Sequence, residues 1–299
     1  MIDVRIDTFL AVCHYMNYTK AAEALSITQP AVTQHIHYLE DHFHVKLFTF
    51  QGKRPILTEA GHLLWGAATT LKHDEIYLRE KLLDTTKRGK ILSLGATKTV
   101  GSYLLPQALA GYLSHNPDTD VHITMDNTQV LLNELDQGKI DCALVEGSFD
   151  KDQYDFLLYT VESFVAVAKT GYAFKRKIRN IEDLLDERLI IREAGSGTRN
   201  ILESYLERHN LVVSDFSHVT ELNNVTAIKE LVKQGAGITF LYHFAVQEEL
   251  SQGVLQQIPL SHFSISHNVT FLWRHGSIFR TYYQQLFQEL GGSADIQEG

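Results

Sequence analysis

The sequence predicts three parts in series: a small helical head, one long connecting helix, and an α/β domain of two similar lobes. Three observations carry that expectation. Residues 3 to 57 combine helical apolar spacing with hydroxyl and proline punctuation and finish in a short hairpin pattern. Residues 58 to about 87 hold one apolar stripe in alternating steps of four and three. From Lys90 onward short apolar runs alternate with helical stretches, and the alternation repeats after residue 162, as parallel βαβ units require.

A chain of 299 residues is long enough for two domains and a connector. Its 44% hydrophobic and 21% charged residues are those of an ordinary globular protein. No basic stretch followed by an apolar run opens the chain, and no apolar run reaches the ~18 residues of a membrane span, so neither export nor membrane insertion is expected. Cys13 and Cys142 stand among apolar neighbours and read as buried thiols of a cytoplasmic protein. Residues 1 to 88 hold 10 Lys/Arg and 10 Asp/Glu, so the net charge of −9 belongs entirely to residues 89 to 299. Nucleic-acid contact by the head must then rest on local charge: Lys53 and Arg54 first, with Lys20 and Lys46 as helpers.

The first helix is expected over residues 3 to 15, with Ile6, Phe9, Leu10 and Cys13 on one apolar face. Thr19 and Thr28 are hydroxyl residues suited to capping helix N-termini. Between them a short helix, Lys20 to Leu25, leads into a tight turn at Ser26-Ile27. Gln29-Pro30 opens the next helix with proline in the first turn, where a missing N–H costs little. Val32, Ile36, Leu39 and Phe43 recur at helical spacing and are expected in the core, leaving Gln29, Thr33, Gln34 and His37 outward. Two short helices joined by a tight turn, the second with a polar outer face, make a helix-turn-helix. Thr49 to Leu57 then reads as a hairpin wing with Gly52-Lys53-Arg54 at its tip, and Thr58 starts a new helix.

The run TKAAEALSITQPAVTQHIHYLEDHFHVKLF, followed by RPILTEAG, resembles the N-terminal signature of LysR-type transcriptional regulators without a gap from Phe9 to Gly61. The resemblance implies a winged helix-turn-helix DNA-binding domain (1–60), a linker and dimerisation helix (61–88) and an effector-binding domain of periplasmic-binding-protein-like fold (89–299). Within the last, lobe I comprises 89–161 and 267–299, and lobe II comprises 162–266. Double-stranded DNA, a second copy of the chain in a homodimer or homotetramer, and RNA polymerase are the implied partners. The DNA-binding residues are then Thr19, Thr28, Gln29, Pro30, Thr33, Gln34, His37, Lys53 and Arg54. Many family members carry Lys or Arg where His37 stands, which puts a phosphate or guanine contact there in doubt.

Leu64, Ala68, Leu71, Glu75, Leu78 and Leu82 form the stripe of the connecting helix, with Glu75 its one interruption. Such a stripe needs a partner, either its own domain or a second copy. The resemblance favours a second copy, with Leu64, Ala68, Leu71, Leu78 and Leu82 as the dimerisation residues.

Strands are expected at 91–95, 121–125, 142–145, 164–168, 189–191, 219–222, 237–241 and 269–273, and helices near 101–114, 128–138, 198–209, 224–234 and 277–290. Crossovers between lobes fall near Tyr159–Glu162 and Ser264–His267. In an open α/β sheet ligands bind beyond the carboxyl ends of strands. Thr97, Lys98 and Thr99 follow the first strand, Asn127 and Thr128 the second, and Glu146 and Gly147 the third. In the second lobe Glu193, Ser196, Gly197, Thr198 and Arg199 join a strand to a helix, and Asn224 follows another strand. Hydroxyls and unpaired N–H groups at helix starts suit an anion. These residues are the expected binding site for a small, anionic effector, with no other cofactor. Glu146 sits awkwardly in such a set: it is able to orient Arg199 or Lys98, or to bind a ligand hydroxyl or amine.

Fifteen histidines are present, but His35 and His37 point to nearly opposite sides of one helix and do not share a metal. No catalytic motif is recognisable, so an enzyme is not expected. Two other readings of the α/β lobes remain, a small-molecule enzyme and a solute-binding protein. An enzyme has no need of residues 1 to 60 and would consume its ligand.

Overall fold

A computed structural model, describing residues 3–52, 54–84 and 90–293, begins with helices α1 (Val4–Tyr15), α2 (Tyr18–Leu25) and α3 (Gln29–Phe43). Each starts on a side-chain cap: Asp3 accepts from Arg5 N, Asn17 from Lys20 N, and Thr28 from Ala31 N. Each stops at a left-handed residue, Met16, Ser26 or His44. Asn17 thus does the capping expected of Thr19, which lies inside α2. Phe43 also departs from expectation. It is 46% exposed, because the turn at His44 ends α3 one residue later, past the edge of the core. Phe9, Val12, Ala21, Val32, Ile36 and Leu39 make that core together with Leu47, Phe48 and Leu57 of the wing. The wing pairs β1 (Phe48–Gln51) with β2 (Arg54–Leu57) antiparallel. Lys53 lies outside the described residues.

Helix α4 (Glu59–Asp84) starts on the Thr58 hydroxyl, which accepts from Gly61 N at 2.9 Å. Glycine is required at 61, since a Cβ there would stand 2.2 Å from the Leu47 carbonyl oxygen. The expected continuation towards Lys87 lies outside the described residues. The leucine stripe divides. Leu71, Leu78 and Leu82 are 57%, 44% and 61% exposed, whereas Ala68 is covered by its own chain and Leu64 packs partly against the head core. Ala68 is therefore not available to a second copy. Helix α1 lies along this part of α4, and Asp7 meets Lys72 Nζ at 3.0 Å.

The polar face of α4 docks on the α/β domain of the same chain. Thr70 donates to the His275 carbonyl at 2.9 Å, and Asp74 accepts from Ser277 Oγ at 2.6 Å and Ile278 N at 2.9 Å. Arg274, itself fully buried, donates to the Gly66 carbonyl and to Asp136. The Tyr77 ring packs on Phe279, centroids 4.5 Å apart.

The α/β domain runs β3 (Lys90–Thr97), α5 (Lys98–Tyr103), α6 (Leu105–His115), β4 (Thr119–Asp126), α7 (Thr128–Asp136), β5 (Cys142–Val145) and β6 (Tyr154–Lys169). It continues with β7 (Arg188–Arg192), α8 (Gly197–Arg208), β8 (His218–Leu222), α9 (Val225–Lys233), β9 (Thr239–Tyr242), α10 (His243–Ser251), β10 (Leu255–Gln257), β11 (Ile265–Arg274) and α11 (Arg280–Glu289). One sheet has the order β10-β6-β11-β5-β3-β4, with β9 also on β6, and a bridge from Leu189 to Ile238 brings in the parallel pair β7-β8. Strands β6 and β11 run side by side, from Ile265↔Phe164 to Arg274↔Tyr154, and cover residues 159–162 and 265–267 of the expected crossover segments. Separate cores lie on either side, around Leu94, Phe271 and Trp273 in one lobe and around Phe164, Leu202 and Ile238 in the other. The helix expected at 101–114 is two helices, α5 and α6, because Pro106 has no N–H to continue the ladder. No helix among the described residues is long and apolar enough to cross a membrane.

Candidate nucleic-acid interface and interlobe cleft

On α3 the side chains of Gln29, Gln34 and His37 are exposed, and Thr33 is partly so. Gln29 Nε2 donates to Thr33 Oγ1 at 3.0 Å, which in turn donates to the Gln29 carbonyl at 3.2 Å. This pair is held in place before any base arrives. Together with Thr19 and His37 they line a groove of about 560 Å3 between α3 and the wing. Thr28 and Pro30 stand exposed at the start of α3, and Arg54 is exposed on the wing. Sequence reasoning missed the groove's aromatic wall, Tyr18 and the 61% exposed Phe50, with ring centroids 6.0 Å apart. Lys46 is less available than expected: its Nζ lies 2.5 Å from the buried Glu40 carboxylate, which also accepts from Leu47 N.

The second site lies where the carboxyl ends of β3, β4, β5 and β7 converge, as a cleft of about 540 Å3. Thr97, Lys98, Thr99, Asn127, Thr128, Glu146, Gly147, Glu193, Ser196 and Gly197 line it, so ten of the expected residues meet. Gly147 is there because the loops nearly touch: a Cβ would stand 2.4 Å from Thr128 Oγ1. The two lobes meet at Thr99 and Thr198, both buried, whose hydroxyl oxygens are 3.4 Å apart. A second interlobe contact joins Tyr103 to Thr226 at 3.0 Å, with Lys229 Nζ 4.6 Å from the centre of the Tyr103 ring.

Expected donors divide by how their polar atoms are used. Asn127 and Asn224 accept the N–H groups of Val130 and Ala227 as helix caps, and Asn224 is not on the cleft wall. Arg199 also turns away, to Glu203 at 2.7 Å and Glu221 at 2.5 Å. These two carboxylates hold its charge on the lobe surface, so neither Arg199 nor Asn224 belongs to the cleft. By contrast, Thr97 and Ser196 make no side-chain cap to the helices they precede, and Thr97 Oγ1 is buried without a partner. The cleft's buried cation is Arg192, the last residue of β7, which is not among the expected effector-binding residues. It grips Glu193 through Nε at 2.7 Å and Nη2 at 2.9 Å. Burial alone would raise the Glu193 carboxyl, but Arg192 and the Lys98 charge outweigh it and hold the group below its ordinary value. Glu146 behaves oppositely: burial pushes it up to about 8, and Arg192 and Thr99 offset only part of that. Among the described residues no group of three or more His, Cys, Asp or Glu is placed to hold a metal.

A winged helix-turn-helix that presents polar side chains on one helix, joined to two lobes around a ligand-sized cleft, defines a ligand-responsive DNA-binding regulator. The chain belongs to the LysR family of transcriptional regulators: residues 4–62 match the bacterial regulatory helix-turn-helix protein, lysR family, and residues 86–294 match the LysR substrate binding domain. It is a LysR-type regulator with an effector-binding domain. It is 27% identical over 263 residues to a probable RuBisCO transcriptional regulator of Gracilaria tenuistipitata var. liui, covering 86% of this chain and 84% of that one. It is 26% identical over 270 residues to the regulator YeiE of Escherichia coli, at 90% and 89% coverage. Among solved structures, full-length LysG from Corynebacterium glutamicum with bound effector Arg superposes with a TM-score of 0.65 at 17% identity, covering 97% of this chain and 98% of that one. The regulatory domain of Synechocystis CcmR in complex with 2-PG does so with a TM-score of 0.57 at 23% identity, covering 67% of this chain and 96% of that one.

Proposed function

We propose that the chain is a cytoplasmic homodimer, or a tetramer built from it, that reads double-stranded DNA through Gln29, Thr33, Gln34 and His37 and answers a small anion held in the interlobe cleft. Residues 1–60 act as the reader, 61–88 as the connector and 89–299 as the sensor. It is not an enzyme, needs no cofactor besides the effector, and acts on transcription through RNA polymerase. The anion reading rests above all on Lys98 and Arg192, one from each lobe, which bring positive charge to a cleft where Ser196 leaves the first turn of α8 uncapped. The exposed row Leu71, Leu78 and Leu82 supports pairing of two copies along α4.

The test is footprinting on DNA upstream of its own and the adjacent gene, repeated with a panel of small molecules. The ligand 2-PG of the Synechocystis relative and arginine, the effector of LysG, head that panel. An altered footprint with an anion, and ligand recovered unchanged, is the expected result. Response to cationic ligands alone contradicts the anion reading, and consumption of the ligand means an enzyme.

A further inference from the structure

Glu146 directly follows β5 and lines the cleft, only 5% exposed, and its Oε2 is buried with no hydrogen-bond partner. The Thr99 hydroxyl lies close enough to offset part of the burial of this carboxyl, and the nearby cation, Arg192, is bound through two nitrogens to Glu193 instead. An ionised carboxylate in that position would keep one oxygen without a donor and have its counter-charge committed elsewhere, an arrangement protein interiors avoid. Three further buried atoms near it are unpartnered, Thr97 Oγ1 at the end of β3, Tyr242 OH at the end of β9 and His267 Nδ1 on β11. The unsatisfied atoms come from both lobes, and a ligand reaching them touches both.

We propose that the Glu146 carboxyl is the specificity-determining group of the cleft, offering an O–H through Oε2 to an oxyanion of the effector, carboxylate or phosphate. The inference rests on the anion reading above and adds a proton to it. Lys98 supplies charge, and Glu146 supplies a donor that accepts no second negative neighbour once ionised. A ligand that places an ammonium group here favours the ionised form, so one residue sorts oxyanions from amines and does so with a sign that pH reveals. Burial holds the proton on at neutral pH, with ionisation near 8. The charged and titratable groups around it are Arg192 and Glu193 from the β7 end, Lys98 from α5, Asp126 from β4, Glu162 from β6, Tyr242 from β9 and His267 from β11.

The experiment uses the full chain and two probes whose own charge is constant from pH 6 to 9, sulfate and oxalate, in calorimetric titrations at both ends of that range. With a competent fraction set by ionisation near 8, the bound oxyanion is held about tenfold more weakly at pH 9 than at pH 6. Glu146→Gln keeps a donor N–H, retains binding and loses the pH dependence. Sulfate binding better than oxalate, or the reverse, distinguishes a tetrahedral phosphate-like ligand from a carboxylate. A pH-independent affinity in the wild type that Lys98→Ala abolishes leaves the anion reading standing and overturns the role of Glu146. No binding of either probe at either pH overturns both. An infrared difference spectrum at pH 7 between wild type and Glu146→Gln gives a readout without ligand: the carboxylic-acid band is expected, and a carboxylate band in its place refutes the proposal.

Discussion

Thr99 and Thr198 belong to different lobes and are 99 positions apart in the chain, yet their hydroxyl oxygens come within 3.4 Å, both buried. That separation is longer than an ordinary hydroxyl pair of about 2.7–2.8 Å, so the contact marks where the lobes touch and is not a strong bond. A ligand contacting both sides binds one interlobe geometry better than others, and only that difference shifts a conformational equilibrium. Thr99→Ala and Thr198→Ala are each expected to abolish the response to inducer while operator affinity stays unchanged. Wild-type response in both, measured by gel shift and transcription over an inducer series, removes this contact from the mechanism.

Gln34 stands exposed on α3. Glutamine matches the N6 and N7 edge of adenine, so Gln34→Ala is expected to cost about 1–3 kcal/mol on the cognate operator and relax preference at one base pair. Arg54→Ala weakens all sequences alike and lowers the salt dependence. A competition binding series on single-base operator variants separates the two. Equal loss for Gln34→Ala on random DNA removes it from base reading.

Leu71 and Leu78 are 57% and 44% exposed on the outer face of α4. Burial of each against its mate in a second copy contributes roughly 1.5–3 kcal/mol. The double variant Leu71→Glu, Leu78→Glu is expected to dissociate the pair at micromolar concentration and weaken operator binding sharply, by sedimentation and gel shift. Unchanged values place the dimer contact elsewhere.

Glu146 carries a stability signature of its own. Its ordinary ionisation lies at 4.5 and burial moves it to about 8, so between those values the folded chain holds a proton that the unfolded chain releases. Stability is therefore full below pH 4.5 as far as this group is concerned and falls as pH rises to about 8, a loss on the order of a few kcal/mol. Glu146→Gln flattens that slope in urea melts taken across the range, and a parallel slope in the variant assigns the proton to another group.

Asp74 has the opposite sign. Burial would raise it, but the adjacent His73 ring and the hydrogen bonds from Ser277 Oγ and the Ile278 N–H lower it below the ordinary carboxyl value. Its contribution is present above that ordinary value and is lost as pH falls through the lowered one. Asp74→Ala leaves Ser277 and Ile278 N without their acceptor, at a cost of about 1–3 kcal/mol. Hydrogen exchange across residues 274–279 is expected to rise in the variant. Unchanged exchange there shows that α4 is held without Asp74.

What the sequence made legible was mostly local. Thr28, Pro30 and the Val32–Ile36–Leu39 spacing define α3 within one segment, and Thr97, Thr99, Ser196 and Glu146 reach the cleft because each ends or follows a strand. The failures have non-local or competing causes. Arg192 adjoins the expected site in sequence, but only the folded sheet shows that it is buried against the cleft, and Asn224 and Arg199 satisfy neighbours on their own lobe. Helix α10 and the three-residue β10 have weak patterns of their own and follow from the packing of lobe II. The docking of α4 was hidden because Thr70, His73 and Asp74 are residues that would ordinarily face water, and nothing near them in sequence reveals Arg274, His275 and Ser277.

That docking decides which lobe carries the connecting helix. Thr70, Asp74 and Gly66 fasten the connecting helix to the end of β11, and β6 begins beside the same point, at Tyr154. Within one chain the first lobe is therefore the frame, bolted to the shaft that carries the reading head, and the second lobe is joined to that frame through the paired strands β6 and β11.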